Sequence, residues 1–260
     1  MDFVSHIRSD SDLFRDRLAG VDPEASVPCC PEWAATDLAW HLTEVQWFWG
    51  TIVAERLTDS DSAEESKPDR PAGHSEVLAM FDIASARLTD ALATTADDEP
   101  VWTWYPPDQS VGFIRRRQAH EALIHRADAQ LTTGSVPALD PAMAEDGVDE
   151  MLHVMIGGVP DWAHFEPDGL SMRIHATDVG RRWGLAFGHM TGTSPTTGNT
   201  YDLEAVTVGL DATEAQAGIE GTAEALDLWL WGRGPVEDLT VAGDTRLVDK
   251  LRALAVEETQ

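Results

Sequence analysis

Apolar residues recur at helical spacing from the start of the chain to about residue 160. The sharpest run predicts a helix that begins at Thr36, a residue type that often caps helix N-termini. Its apolar positions follow at steps of three and four residues: Leu38, Leu42, Val45, Trp49 and Ile52. Similar patterns predict helices over 3–18, 77–92, 112–131 and 141–156. Because several long amphipathic helices can bury their apolar stripes against one another, the pattern predicts a four-helix bundle.

The pattern changes beyond Trp162. Alternating polar and apolar residues over 170–175 and 204–208 predict strands, and 215–219 is a further short candidate. Helical patterns over 222–231 and 245–254 enclose a short strand at 239–241. We therefore expect a multidomain α and α+β protein, with a helical bundle over residues 1–162 and a small α+β domain over residues 163–260.

The net charge limits the classes of partner. The chain has 46 acidic residues against 18 basic ones, which gives a formal charge of −28, while 43% of its residues are apolar. That apolar fraction is sufficient for a folded core. Because nucleic-acid binding depends on Lys and Arg neutralising phosphates, we expect no nucleic-acid partner. The acidity itself is that of a solvated surface and identifies no substrate.

The sequence also indicates a compartment. The N-terminus has no apolar core typical of a secretory signal, and no apolar run approaches the length of a membrane span. The two cysteines, Cys29 and Cys30, are adjacent, which disfavours a relaxed disulfide. We expect a cytoplasmic protein with no membrane partner. The two thiols are interpreted as packing residues, with an exposed reactive thiol as the alternative.

Histidines and carboxylates interrupt two of the predicted helices. His41 lies three residues after Leu38 in the apolar stripe of its helix, so its imidazole should point into the bundle. Glu121 and His125 lie four residues apart in a later helix, with Asp128 one turn further on. A buried carboxylate of this kind must be paired or bound to a metal, because an isolated buried charge is very costly.

Together His41, Glu121 and His125 form a set of two nitrogen ligands and one oxygen ligand. Three protein ligands with an open fourth position are typical of catalytic zinc. Two interpretations compete with the metal: a buried neutral histidine at position 41, and a surface pair formed by Glu121 and His125.

Several segments in order resemble one known family. They are Val27-Pro-Cys-Cys-Pro-Glu-Trp33 followed by His41-Leu42, then Glu121-Ala-Leu-Ile-His125, and then the stretch from Gly221 to Arg233. The chain resembles the mycothiol-dependent maleylpyruvate isomerase family, in which a DinB-like metal-binding four-helix bundle precedes a sterol-carrier-like C-terminal domain.

The resemblance implies a divalent metal, usually Zn²⁺, held by His41, Glu121 and His125. It also implies mycothiol as cosubstrate. The chemistry is consistent, because a thiol is mostly protonated near neutral pH and coordination to a metal converts it to the nucleophilic thiolate. A glutathione-like or bacillithiol-like thiol is the alternative cosubstrate.

Three further residues are candidates for the same chemistry. Arg233 could hold a substrate carboxylate or a cofactor and act in catalysis, or it could form an interdomain ion pair. Asp128 could orient His125 and so serve catalysis, or pair with an arginine. His175 could bind the cofactor from the cleft between the domains, or pack within its strand. Arg117 and Arg126 are weaker candidates for an anion-binding role.

The expected function is a metal-dependent, mycothiol-using thiol S-transferase or thiol-exchange enzyme. Its substrate would be an activated small-molecule electrophile, such as a natural-product or xenobiotic intermediate. A mycothiol-dependent cis-trans isomerase of maleylpyruvate type is the alternative, followed by a non-catalytic small-molecule-binding protein and by a metal hydrolase. The aromatic block from Val101 to Tyr105 could line a substrate pocket or belong to the core. We expect a monomer or a homodimer.

Overall fold

The structure is a computed structural model that describes residues 1–134, 138–209 and 214–257. The chain divides into two compact units, Met1–Pro137 and Ala138–Gln260. No helix in the described part of the chain combines the length and the apolar character that a membrane span requires.

The first unit is helical. A short antiparallel hairpin joins its first two helices, and the elements are α1 (Phe3–Ala19), β1 (Ser26–Val27), β2 (Cys30–Ala34), α2 (Ala35–Glu55), α3 (Asp61–Glu65), α4 (His74–Thr94) and α5 (Val111–Thr132). The helix α2 packs along α4, and α1 packs along α5. Contacts of α1 with α4 and of α2 with α5 close the four long helices into a bundle. The predicted bundle is therefore confirmed.

The bundle core consists of the apolar stripes that the sequence predicted. Leu38 and Leu42 of α2 are fully buried, and the rings of Phe14 and Phe81 pack with their centroids 5.1 Å apart. Burying a large apolar side chain stabilises the folded state by roughly 1.5–3 kcal/mol. This core fixes the rotation of α2 about its axis and so determines which of its polar residues face α5.

The start of α2 differs from the prediction. Thr36 lies inside the helix, and its hydroxyl donates to the carbonyl of Pro23 at 3.0 Å. The N-cap residue is Ala34, whose backbone N–H donates to Oδ2 of Asp37 at 2.8 Å. Arg70 pairs with Oδ1 of the same carboxylate at 2.7 Å. An acidic residue at the third position of the helix thus replaces the expected threonine cap.

The second unit is α+β, as predicted. Its elements are α6 (Pro141–Glu150), a π-helical turn (Met151–Met155), β3 (Ala163–Ala176), β4 (Arg181–Thr193), β5 (Thr200–Val208), β6 (Ala217–Gly221), α7 (Ala223–Leu230), a 3₁₀ turn (Val236–Asp238), β7 (Thr240–Gly243) and α8 (Thr245–Glu257). The five strands form one sheet in the order β5-β4-β3-β6-β7, and only the β3–β6 pair is parallel.

The division between the units differs from the expected boundary at residue 162. The helix α6 packs on α7 and belongs to the second unit. Helical periodicity continues through this segment, so the periodicity alone gives no sign that the chain has entered another unit.

Candidate metal centre

His41 is the seventh residue of α2 and lies beside the β1–β2 hairpin. Its side chain is 34% exposed, so it is only partly buried in the bundle. The indole of Trp33, from the end of the hairpin, packs on the His41 imidazole with ring centroids 4.8 Å apart. The imidazole of His125 packs against it at the same centroid distance in an edge-on arrangement. The His41 ring is therefore held between an indole and a second imidazole.

Glu121 and His125 face His41 from α5. Oε1 of Glu121 lies 3.1 Å from Nε2 of His125 and 3.7 Å from Nε2 of His41. One donor atom from each of the three residues lies within 4.8 Å of the other two. The structure thus brings together the three residues that the sequence predicted as metal ligands, and no other such group of ligand-type side chains occurs in the described ranges.

Two charged residues hold this cluster from the same helix. Oδ2 of the fully buried Asp128 lies 3.0 Å from Nδ1 of His125. Nη2 of Arg117 lies 3.0 Å from Oε2 of Glu121. Each contact uses the atom that points away from the centre of the cluster. As a result Nε2 of His125 and Oε1 of Glu121 face each other and His41.

The charges around the cluster shift two pKa values. Burial alone would lower the pKa of His125, but hydrogen bonds to Asp128 and Glu121 outweigh it and raise that pKa to about 9. Burial alone would raise the pKa of Glu121, but the hydrogen bond from His125, the neighbouring His41 imidazole and the charge of Arg117 hold that pKa well below its usual value. Glu121 is therefore an anion at neutral pH. In the absence of a cation, His125 carries the compensating proton.

The donor set is suited to a divalent cation. It offers two imidazole nitrogens and one carboxylate oxygen, which is the composition of many three-ligand zinc sites. Buried carboxylates that orient the far nitrogen of a ligand histidine are also common around such sites. The arrangement could bind a cation and still leave room for an exogenous ligand on the exposed side of His41.

The other predicted site residues lie in the second unit. His175 of β3 stands opposite Glu220 of β6 in the parallel pair, with its Nδ1 3.4 Å from the Glu220 carboxylate. Arg233 follows α7, and its guanidinium donates to the carbonyl of Trp231. Burial and the nearby charge of Arg233 lower the pKa of Arg252. Arg252 is therefore a cationic neighbour of Arg233 within the second unit.

Sequence reasoning missed Trp33 as a neighbour of the cluster and underrated Arg117. The signal for Arg117 was its four-residue spacing from Glu121, which places the two side chains one turn apart. Trp33 could not be linked to His41 by a helical pattern, because it belongs to the short hairpin. Cys29 and Cys30 lie in the same hairpin and are both half-buried.

Both units match known family domains. Residues 4–130 match the mycothiol maleylpyruvate isomerase N-terminal domain, and residues 142–250 match the MDMPI C-terminal domain. These matches begin and end close to the limits of the two compact units. No curated protein matches the sequence.

Solved structures with a similar fold carry the same name. A crystal structure of the mycothiol-dependent maleylpyruvate isomerase has a TM-score of 0.60 and 12% sequence identity, and the match covers 93% of this chain and 92% of that one. A histidine-to-alanine mutant of a protein with that name has a TM-score of 0.59 and 13% identity, with the same coverage. At such identities the likeness supports the fold. The two domain matches and the shared fold together show that the chain belongs to the mycothiol-dependent maleylpyruvate isomerase family, which is a family of enzymes.

Proposed function

We propose that the chain is a metal-dependent and mycothiol-dependent cis-trans isomerase of maleylpyruvate type. The observation that carries the proposal is the convergence of His41, Glu121 and His125, whose donor atoms lie within 4.8 Å of one another. All three residues belong to the part of the chain that matches the family's N-terminal domain. The comparisons favour this function over the S-transferase expected from the sequence.

The three residues fit a divalent cation by chemical type and by proximity. A bound cation such as Zn²⁺ would supply a position at which the mycothiol thiol is held as its thiolate near neutral pH. Asp128 would keep a proton on Nδ1 of His125 and so leave Nε2 available as a ligand. Arg117 would hold Oε2 of Glu121 and leave Oε1 to serve the cluster.

The isomerisation itself needs only the reversible addition of the thiolate to the double bond of the substrate. The thiolate sulfur forms a bond to one carbon of the activated cis double bond, and the electron pair moves onto the conjugated carbonyl as an enolate. The remaining carbon–carbon single bond rotates, the enolate reforms the double bond in the trans geometry, and the carbon–sulfur bond breaks. A cation beside the carboxylate and the enolate would stabilise both. Arg233 and His175 of the second unit stay the predictions from the sequence for binding a carboxylate and the thiol cosubstrate.

Thiol S-transfer is the second candidate, because it shares the addition step. The two reactions differ in the fate of the adduct, which the transferase would protonate at carbon and release with the carbon–sulfur bond intact. The aromatic segment over residues 101–105, between α4 and α5, favours an acceptor larger than a small dicarboxylate.

The test uses purified protein loaded with Zn²⁺, mycothiol and maleylpyruvate. Formation of the trans isomer with mycothiol regained supports the isomerase, whereas a stable conjugate detected by mass spectrometry supports the transferase. Metal content and turnover should both be lost in the His41→Ala, His125→Ala double variant. They should remain in the matched control His189→Ala, which removes a half-exposed histidine of β4. Turnover without thiol would favour a hydrolase, and retained metal in the double variant would contradict the proposed site.

A further inference from the structure

A short aromatic segment between α4 and α5 packs on both helices that carry the proposed metal ligands. Trp102 stacks on Trp49 of α2 with ring centroids 5.8 Å apart, and it meets Phe48 of the same helix edge-on at 5.9 Å. Three residues further on, Tyr105 stacks on Phe113 of α5 at 5.3 Å. Trp104 meets the same Phe113 ring edge-on at 5.5 Å. We call these six rings the aromatic cluster.

The aromatic cluster lies at a defined distance from the ligand residues along both helices. Phe48 follows His41 by seven residues, which at the rise of an α-helix is about 10 Å. Phe113 precedes Glu121 by eight residues, or about 12 Å. The seven-residue step returns to the same face of α2, and Phe113, Arg117 and Glu121 form a row at four-residue spacing on α5. The distances along α2 and along α5 are similar because the start of α2 lies beside the end of α5. Moving from His41 toward the end of α2 therefore corresponds to moving from Glu121 toward the start of α5.

The aromatic cluster is built on a rigid segment. The backbone N–H of Trp102 donates to the carbonyl of Leu57 at 2.7 Å. The Thr103 hydroxyl donates to the carbonyl of Asp108 at 2.7 Å, and the Gln109 amide donates to the carbonyl of Thr103 at 2.9 Å. The conformation is therefore fixed before any ligand arrives, which reduces the entropy cost of binding.

Trp104 is unusually exposed for a large aromatic residue that packs on a neighbouring ring. The residue remains 41% exposed, and it is one of the few large apolar residues in the described ranges with that much surface. Three partly buried rings, those of Phe48, Trp102 and Tyr105, belong to the same cluster. A rigid, clustered and partly exposed set of rings is typical of a surface that binds an apolar ligand.

The nearby charge narrows the class of ligand. Nζ of Lys67 lies 5.4 Å from the Phe48 ring centroid, but it also pairs with Glu64 at 2.8 Å. The two charges of this pair cancel, so Lys67 is not a lone cation beside the rings. The aromatic cluster therefore offers flat apolar surface rather than an anion site.

From these observations we propose that the aromatic cluster binds a flat apolar group, such as an aryl ring, on the electrophilic substrate. The reacting double bond would lie at His41, Glu121 and His125, and a linker spanning about 10 Å would join the two ends. That the aryl group bound at the cluster is part of a substrate rests on the proposed function. Binding of an aryl group there does not.

The test separates binding from turnover. Two unreactive amides, N-phenylbutyl succinamate and N-methyl succinamate, share a carboxylate end and differ in the aryl arm. Calorimetry on the metal-loaded protein should give at least tenfold tighter binding for the aryl compound, because it buries an aromatic ring. In Trp104→Ala that preference should fall by about tenfold. In Trp104→Phe, which keeps a ring, most of it should remain.

Two controls protect the interpretation. Ile83→Ala truncates another exposed apolar residue, on α4, and should leave the preference unchanged. Should Trp104→Ala fail to fold, tryptophan emission of the wild type and of Trp104→Phe is compared instead. Addition of the aryl succinamate should change the first more than the second, because Trp104→Phe lacks the exposed indole but retains Trp102 and Trp49. Equal affinity of the wild type for the two succinamates, or an unchanged preference in a folded Trp104→Ala, would overturn the proposal.

Turnover is measured with the reactive cis analogues, N-phenylbutyl maleamate and N-methyl maleamate, in the presence of mycothiol. We expect a higher kcat/KM for the aryl compound in the wild type and equal values in Trp104→Ala. If the aryl succinamate binds but neither maleamate reacts, the proposed function fails and the binding site stands. If both maleamates react equally well and the two succinamates bind with the same affinity, the binding site fails and the proposed function stands.

Discussion

Arg117 and Glu121 form an ion pair one turn apart on α5, with Nη2 of the arginine 3.0 Å from Oε2 of the carboxylate. The other carboxylate oxygen, Oε1, lies 3.1 Å from Nε2 of His125. The arginine is almost fully buried, so water does little to screen the pair. One oxygen of Glu121 is thus fixed by a cation, and the second is directed toward the imidazoles.

We expect Arg117→Met to weaken Zn²⁺ binding by roughly 10–100-fold, the usual effect of removing a group that orients a ligand. Arg117→Lys should recover part of the loss, because it restores a cation without the fork of the guanidinium. Competition with a chromogenic chelator measures both constants. The control is Arg15→Met, which removes a surface arginine paired with Asp82. Similar affinities for Arg117→Met and the control would contradict the proposed role.

Asp128 should influence the site through its contact with His125. Its Oδ2 lies 3.0 Å from Nδ1 of that histidine, so Asp128→Asn would remove the anion and keep the shape. We expect Zn²⁺ affinity to fall by about 10–100-fold and turnover at saturating metal to be largely retained. Chelator competition and kcat at high Zn²⁺ separate the two effects. Loss of kcat at full metal occupancy would instead assign Asp128 a direct part in the reaction.

Asp37 should stabilise the start of α2 in a pH-dependent manner. Its hydrogen bond from Ala34 is the main cause that lowers its pKa below 3.8, with Arg70 contributing. A lowered pKa in the folded state adds stability above pH 3.8 that is lost as the pH falls through the folded-state value. Asp37→Ala should therefore cost about 1 kcal/mol at pH 7 and much less at pH 2. Urea unfolding at both pH values measures this, and equal costs would contradict it.

Gly50 should be required for the close approach of α2 to α4. A Cβ atom at this position would lie 3.1 Å from the backbone nitrogen of Leu88, which has no freedom to move aside. We expect Gly50→Val to destabilise the protein by about 1–3 kcal/mol through overpacking, despite the better helix propensity of valine. Ala54→Val, at an exposed position of the same helix, is the matched control. Equal unfolding midpoints for the two variants would contradict this account.

Sequence reasoning succeeded where one helix carries a complete pattern. The row from Arg117 to Asp128 on α5 follows three- and four-residue steps, so helical geometry alone places its residues on one face. His41 could be added because it interrupts an otherwise apolar stripe. The residues that pack between elements, such as Trp33 against His41, could not be found in this way. Their contacts depend on how a hairpin folds back onto a helix.

The strand β4 shows a different limit. Its residues from Trp183 to Phe187 are buried, so the alternation of polar and apolar positions is lost. Gly188 interrupts it further, yet a Cβ there would collide with the carbonyl of Glu166 and the ring of Phe165. A glycine that looks like a strand breaker is therefore required by close packing against the neighbouring strand.

The strand order of the second unit has a consequence for protein synthesis. Because β3 lies in the middle of the sheet and pairs in parallel with β6, it cannot gain its second neighbour until the ribosome has released residues 217–221. The β3–β4–β5 meander can form earlier, with one side of β3 still open. The bundle, in contrast, is built entirely from residues before 135. We therefore expect the two units to fold at different times during translation, with the ligand-bearing unit first and the sheet completed late.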